Sequence, residues 1–126
     1  MKIARVGLVI AVVLTGVIGF SSCEKFAILP PVINQTDSIY YQTDIQPIFN
    51  ANCITCHSGG IAPDLRSSNS YNALSTGGFL TPNNETCPLY VQVTSAGHTA
   101  RTTDLQKLQI LTWLKQGAKN NIKLSN

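Results

Sequence analysis

The run Cys53-Ile54-Thr55-Cys56-His57 limits this chain more than any other stretch. Two thiols three positions apart, followed at once by an imidazole, make the C-x-x-C-H pattern of c-type haem attachment. The chemistry explains the spacing. Each thiol can bond one of the two vinyl groups of a single haem, and the adjacent imidazole then lies under the iron as its proximal ligand. One tight turn sets both sulfurs on one edge of the ring and aims the imidazole at its centre. Ser58-Gly59-Gly60 come next, and glycine lets the backbone turn closely past a flat cofactor. Cys53 and Cys56 are therefore the expected attachment points for one covalent haem c, and His57 is an expected iron ligand.

Three plainer readings compete. A thioredoxin-like redox pair needs a βαβ context, and none is legible. A structural zinc site needs four nitrogen or sulfur ligands. Cys53, Cys56, Cys87 and one histidine would supply them, although an adjacent Cys-His pair fits one tetrahedron badly. A disulfide between Cys53 and Cys56 with no cofactor is the third. None of these accounts for the immediate histidine in a chain that carries an export signal.

That signal is the N-terminus. Lys2 and Arg5 form a positive segment, and Val6 to Phe20 is apolar except for Thr15 and the glycines. About 15 residues is short for a membrane-spanning helix, which needs about 20, and fits the apolar region of a secretory leader. Ser21-Ser22 and then Cys23 follow. This resembles a bacterial lipoprotein signal over residues 1–22, with Cys23 as the lipidated first residue of the mature chain. Ordinary cleavage that leaves Cys23 unmodified and an uncleaved anchor are the alternatives. Two or three acyl chains on one cysteine suffice for stable anchoring. The expected location is the cell envelope, lipid-anchored on the periplasmic or outer-surface side.

Charge is informative once the leader is set aside. The chain has 9 Lys and Arg against 6 Asp and Glu; without Lys2 and Arg5 that is 7 against 6, or about +1. No basic face suited to nucleic acid follows. No acid–base pair or nucleophile cluster points to hydrolysis.

Residues 23–39 read as a tether between lipid and domain, since Pro30-Pro31 prevents helix and Asn34 to Ser38 is polar without period. The domain proper is expected over residues 40–121, with 122–126 as a polar tail. Thr43 with Gln46 makes a capping-box pattern, and Ile45, Ile48 and Phe49 share one helical face. A helix over Asp44 to Asn52 then runs straight into the haem motif. A backbone carbonyl in Pro63-Asp64-Leu65 is placed to accept from the second nitrogen of His57, a bond that fixes the tautomer of a ligating imidazole. Ser70 to Ser75 is a short helix stopped by Gly77-Gly78. Leu89, Tyr90 and Val93 suit a helix after Pro88 or a strand. Thr103 with Gln106 opens the last helix, whose apolar face is Leu105, Leu108, Ile110, Leu111, Trp113 and Leu114. Gly117 fits the left-handed position beyond its end.

The run Tyr41-Gln42-Thr43-Asp44-Ile45-Gln46-Pro47-Ile48-Phe49, the haem motif, and the closing run Trp113-Leu114-Lys115-Gln116-Gly117-Ala118-Lys119-Asn120-Asn121 resemble small mono-haem cytochrome c-like domains of bacterial lipoproteins, similar to the planctomycete-type cytochrome c family. The resemblance covers residues 40–121. It implies an all-α cytochrome c fold, N- and C-terminal helices crossing around one covalently bound haem, and one-electron transfer with a redox partner protein that the sequence does not identify. It also implies a distal iron ligand in the loop before the last helix, commonly a methionine. That loop here reads Gly97-His98-Thr99, and Met1, in the leader, is the only methionine. A thioether ligand is thereby excluded for the mature chain. Three readings of the sixth position stand: His98 ligates the iron, the position is open or water-bound, or another ligand such as the Cys87 thiolate takes it. An open position would suit a haem enzyme or a sensor of peroxide or gas. An accessory haem lipoprotein that docks a partner is a third class. Cys87 has no expected partner and reads as a free, sheltered thiol.

Overall fold

The computed structural model describes residues 32–34, 36–81 and 85–124. The expected leader, Cys23, the first part of the tether, the Pro82-Asn83-Asn84 turn and the last two tail residues lie outside the described residues. Among the described residues the chain is all-α: four α-helices, two short helical turns of other pitch, and no strand. Among them no helix is long and apolar enough to cross a membrane.

A π-helical turn, Tyr41–Ile45, leads without a break into α1, Gln46–Asn52. The expected capping box at Thr43 and Gln46 is not what starts this helix. Helical winding begins earlier, and Asp44 reaches back so that its Oδ2 accepts from the Tyr40 N–H at 2.7 Å. Gln46 is instead buried, with its Nε2 donating to the Leu65 carbonyl at 3.0 Å and its Oε1 accepting from Ser70 Oγ. The Tyr41 phenol completes this chain by donating to Ser70 Oγ at 2.7 Å. Burial pushes the Tyr41 hydroxyl up to about 12, against the opposing effect of the Ser70 bond. A core polar group is tolerated when every member of its network has a partner, and this network ties α1 to the start of α2, Ser70–Thr76.

The ambiguous segment after Cys87 is a helix, α3, Pro88–Thr94. Proline at the first position suits a helix start, and Leu89 and Val93, four apart, are both buried. A 3₁₀ turn, Thr99–Arg101, then leads to α4, Asp104–Lys115. The capping box of α4 is present in both directions: Gln106 N donates to Thr103 Oγ1 at 3.2 Å and Thr103 N to Gln106 Oε1 at 2.9 Å. Gly117 follows at φ +95°, as a left-handed cap requires. The buried face of α4 is Ile110, Leu111, Trp113 and Leu114. Leu105, expected on that face, stays 41% exposed, because the core contacts of α4 concentrate in its second half. There Trp113 meets Tyr41 with ring centres 5.1 Å apart, and α4 packs on the π-helical turn and on α3.

The polar end is more than a tail. Asn121 accepts from Tyr41 N through its Oδ1 and from Gln42 N through its carbonyl, each at 3.0 Å. Gln116 accepts from Ile39 N at 2.9 Å and donates to the Asp37 carbonyl at 2.7 Å. These amides clasp the two ends of the domain together and bring Ile39, buried at 8% exposure, into the core. Gln116→Ala removes one partly buried and one exposed hydrogen bond and is expected to cost about 1–2 kcal/mol. Thermal unfolding checks it, with a fall of about 4–8 °C per kcal/mol for a domain of this size.

Candidate haem-binding site

The chain leaves α1 through Cys53, whose N–H still donates to the Phe49 carbonyl at 2.9 Å. A tight turn follows: the N–H groups of Cys56 and His57 both donate to the Cys53 carbonyl, at 3.1 and 2.9 Å. Cys53 is half-buried and Cys56 exposed, and both are free thiols. Burial pushes the Cys53 thiol up; the charge of Arg101 works against this and the neighbouring Cys56 adds to it.

The loop after His57 is closed on itself. Leu65 N donates to the His57 carbonyl at 2.8 Å. The His57 ring lies with Nδ1 3.1 Å from the Pro63 carbonyl oxygen, across a cis Ala62–Pro63 bond. A carbonyl can only accept, so Nδ1 carries the proton and Nε2 presents a lone pair. The carbonyl expected somewhere in Pro63-Asp64-Leu65 is thus that of Pro63. Asp64 holds the loop from outside, accepting from the Arg66 backbone and guanidinium and from Asn69 Nδ2 at 2.7 Å. The hydrogen bonds of Arg66 and Asn69 keep its carboxyl well below the usual carboxylate range. Gly59 sits under that guanidinium at φ +103°, and a Cβ there would stand 2.9 Å from an Arg66 nitrogen. Any side chain at position 59 therefore meets both left-handed strain and a clash.

His98 approaches from the other direction. It precedes the 3₁₀ turn, with its N–H donating to the Ser95 carbonyl at 2.9 Å. Its Nδ1 lies 3.2 Å from Ser95 Oγ, and that hydroxyl also sits 2.7 Å from the Gln92 carbonyl. A serine hydroxyl has one proton. When that proton goes to the Gln92 carbonyl, Oγ accepts from His98 Nδ1–H; when it goes to Nδ1, the ring proton sits on Nε2. The two imidazole rings have centres 6.3 Å apart and planes at 36°.

Both histidines and both cysteines line one cavity of about 530 Å³. Its apolar wall is Phe49 from α1, Leu65, Phe79, and Leu89 and Val93 from α3. Such a volume lies within the roughly 300–1,000 Å³ usual for cofactor and ligand sites. The sequence brings the four predicted residues together only through the fold, since 41 positions separate His57 from His98. Sequence reading missed Arg101 and Thr102, which also line the cavity, and the Asp64–Arg66 brace.

Cys87 stands apart. It is fully buried and hydrogen-bonded, donating from Sγ to the Phe79 carbonyl at 3.1 Å and accepting from Thr81 N at 3.3 Å. It does not line the cavity. Among the described residues no three His, Cys, Asp or Glu side chains cluster as ligands for a metal ion, which leaves the four-ligand zinc reading without its donors there. No family model, curated protein or solved structure matches this chain.

Proposed function

We propose that this chain is a lipid-anchored, mono-haem c-type cytochrome whose cytochrome c-like domain carries single electrons between partner proteins in the cell envelope. The observation that carries this reading is one cavity lined by both motif cysteines, His57 and His98, with the two imidazole ring centres 6.3 Å apart. An imidazole nitrogen binds a first-row metal at about 2 Å, so one iron held by both rings would need their centres roughly 6 Å apart. The observed 6.3 Å meets that requirement.

The residues then have distinct tasks. Cys53 and Cys56 would hold the cofactor covalently as thioethers. His57 and His98 would hold the iron through Nε2. Pro63 and Ser95 fix their tautomers by accepting from the two Nδ1–H groups, and such partners raise ligand basicity. Phe49, Leu65, Leu89 and Val93 exclude water from the ring faces. When bound, haem supplies a one-electron couple at its iron. Imidazole in place of a thioether sulfur lowers the reduction potential. The expected leader and Cys23 supply export and anchoring, in the compartment where c-type haem is attached.

The test is the full chain, produced with its leader in a bacterium that attaches c-type haem. Haem staining on a denaturing gel, with an alkaline pyridine spectrum showing two saturated vinyl groups, is the expected result. Haem that is absent, or that dissociates on denaturation, refutes the attachment. Intact mass of the membrane fraction is expected to show a chain beginning at acylated Cys23. A retained leader or an unmodified Cys23 removes the lipid anchor from the reading and leaves the haem.

A further inference from the structure

Thr102 is 7% exposed, and its Oγ1 is a buried polar atom with no hydrogen-bond partner among the described residues. Buried hydroxyls are nearly always hydrogen-bonded, and one left orphaned asks for a missing partner. Thr102 lines the cavity that holds Cys53, His57 and His98. Arg101, beside it in sequence, lines the same cavity. Among the described residues it is the only Lys, Arg, Asp or Glu on those walls; the other titratable groups there are Cys53, Cys56, His57 and His98, and Asn52 and Gln92 add neutral amides. A guanidinium and an unpartnered hydroxyl at adjacent positions suit a planar anion. A guanidinium recognises a carboxylate through charge-assisted, commonly bidentate hydrogen bonds.

The geometry points to Arg101 and Thr102 as a clamp for a carboxylate at the edge of the cavity. Resting on the reading proposed above, that carboxylate is a propionate of the haem. Haem would bring two propionates into a setting where an unpaired charge is costly, and among the described residues Arg101 is the one Lys or Arg lining that cavity. The pair is not part of C-x-x-C-H and touches the cofactor at its periphery. It therefore positions the ring and sets the charge near the iron.

The readout is the reduction potential of the holoprotein between pH 5 and pH 9. The motif cysteines are thioethers and the histidines are ligands in that form, so a clamped propionate is the cavity group whose titration matters. In the wild type the clamp keeps it ionised, and the potential is nearly flat with pH. Arg101→Gln releases it. At pH 8 the reduction equilibrium then shifts toward the ferric form by about three- to tenfold, up to about 59 mV for a one-electron couple. As pH falls, protonation of the propionate raises the potential and gives the variant a slope that the wild type lacks. Thr102→Val is expected to give a smaller slope of the same sign, and Thr102→Ser the wild-type profile. Arg101→Lys separates charge from contact: it keeps the pH 8 potential near the wild type while restoring part of the slope.

Arg101→Gln lowering the potential equally at every pH would mean a charge acting at a distance, and would overturn the clamp. So would an unchanged profile in both Arg101→Gln and Thr102→Val. A wild-type pyridine spectrum without covalent haem would instead strike the proposed function itself. That result is read before any variant is made, so the two failures are distinguishable.

Discussion

Replacing Cys53 and Cys56 together by serine is expected to abolish covalent haem and to leave the domain largely unfolded at 37 °C. The second half of this expectation comes from the size of the cavity that the proposed haem would fill. Three of the four α-helices have only 7 residues, and isolated helices below about 12–15 residues are marginal in water. Their stability must come from tertiary contact, yet Phe49, Leu65, Leu89 and Val93 all turn toward a cavity of about 530 Å³. Cavity formation in a protein core costs about 24 cal/mol per Å³, or roughly 13 kcal/mol for a closed, dry space of this volume. The cavity is open on one side, so only part of that applies. Even a third, about 4 kcal/mol, rivals the total of about 5 kcal/mol at the low end for small domains. It would lower the melting temperature by about 16–30 °C. Circular dichroism and thermal unfolding of the double variant, beside its pyridine spectrum, measure both halves. A haem-free variant with wild-type helicity and melting temperature would show that the cavity is not completed by a cofactor. Each single substitution keeps one thioether and is expected to retain haem in reduced yield.

How much of this was legible in the sequence depended on the range of the forces involved. The last helix could be read from end to end because its signals are local: Thr103 and Gln106 cap it reciprocally, and Gly117 takes the left-handed position. The first helix carries the same letters, Thr43 and Gln46, yet they do not cap it. Gln46 is taken by Ser70 and Leu65, contacts 24 and 19 residues away, and no local rule contains them. Asn120 and Asn121 look like a solvated end for the same reason, since their partners Gln42 and Tyr41 lie 78 and 80 positions earlier. The C-x-x-C-H run stands out in the sequence because the covalent chemistry proposed for it demands those three residues in that order. The partners that orient its imidazole were legible only as a neighbourhood, Pro63 to Leu65. The polar groups at positions 101 and 102 gave no signal, for an arginine and a threonine before a helix are ordinary. Only a buried hydroxyl with no partner, facing a cavity, sets them apart.

His98→Ala is expected to turn a low-spin iron into one with a high-spin component and to let carbon monoxide bind the ferrous form. His98 and His57 are the only histidines in the chain, and Met1 is the only methionine. Beyond His57 and the leader, His98 is therefore the one imidazole and no thioether is present to replace it as a sixth ligand. Cys87 cannot step in without leaving a site where its sulfur is buried and bonded to Phe79 and Thr81. The variant should thus be five-coordinate or water-bound, and its reduction potential should rise, because a basic imidazole favours the ferric state. The ring is held mainly by its neighbours in sequence: Ser95 contributes its carbonyl to the His98 N–H and its hydroxyl to Nδ1. Ser95→Ala is expected to loosen the ring without removing the ligand. It should leave the ferric spectrum low-spin while increasing the rate at which carbon monoxide displaces the imidazole. Absorption and electron paramagnetic resonance spectra of both oxidation states, with and without carbon monoxide, separate these outcomes. A wild type that is already high-spin, with a spectrum unchanged in His98→Ala, would show that His98 is no ligand. The sixth position would then be open, and a haem enzyme or sensor of peroxide or gas would replace the simple electron carrier as the better account of this cavity.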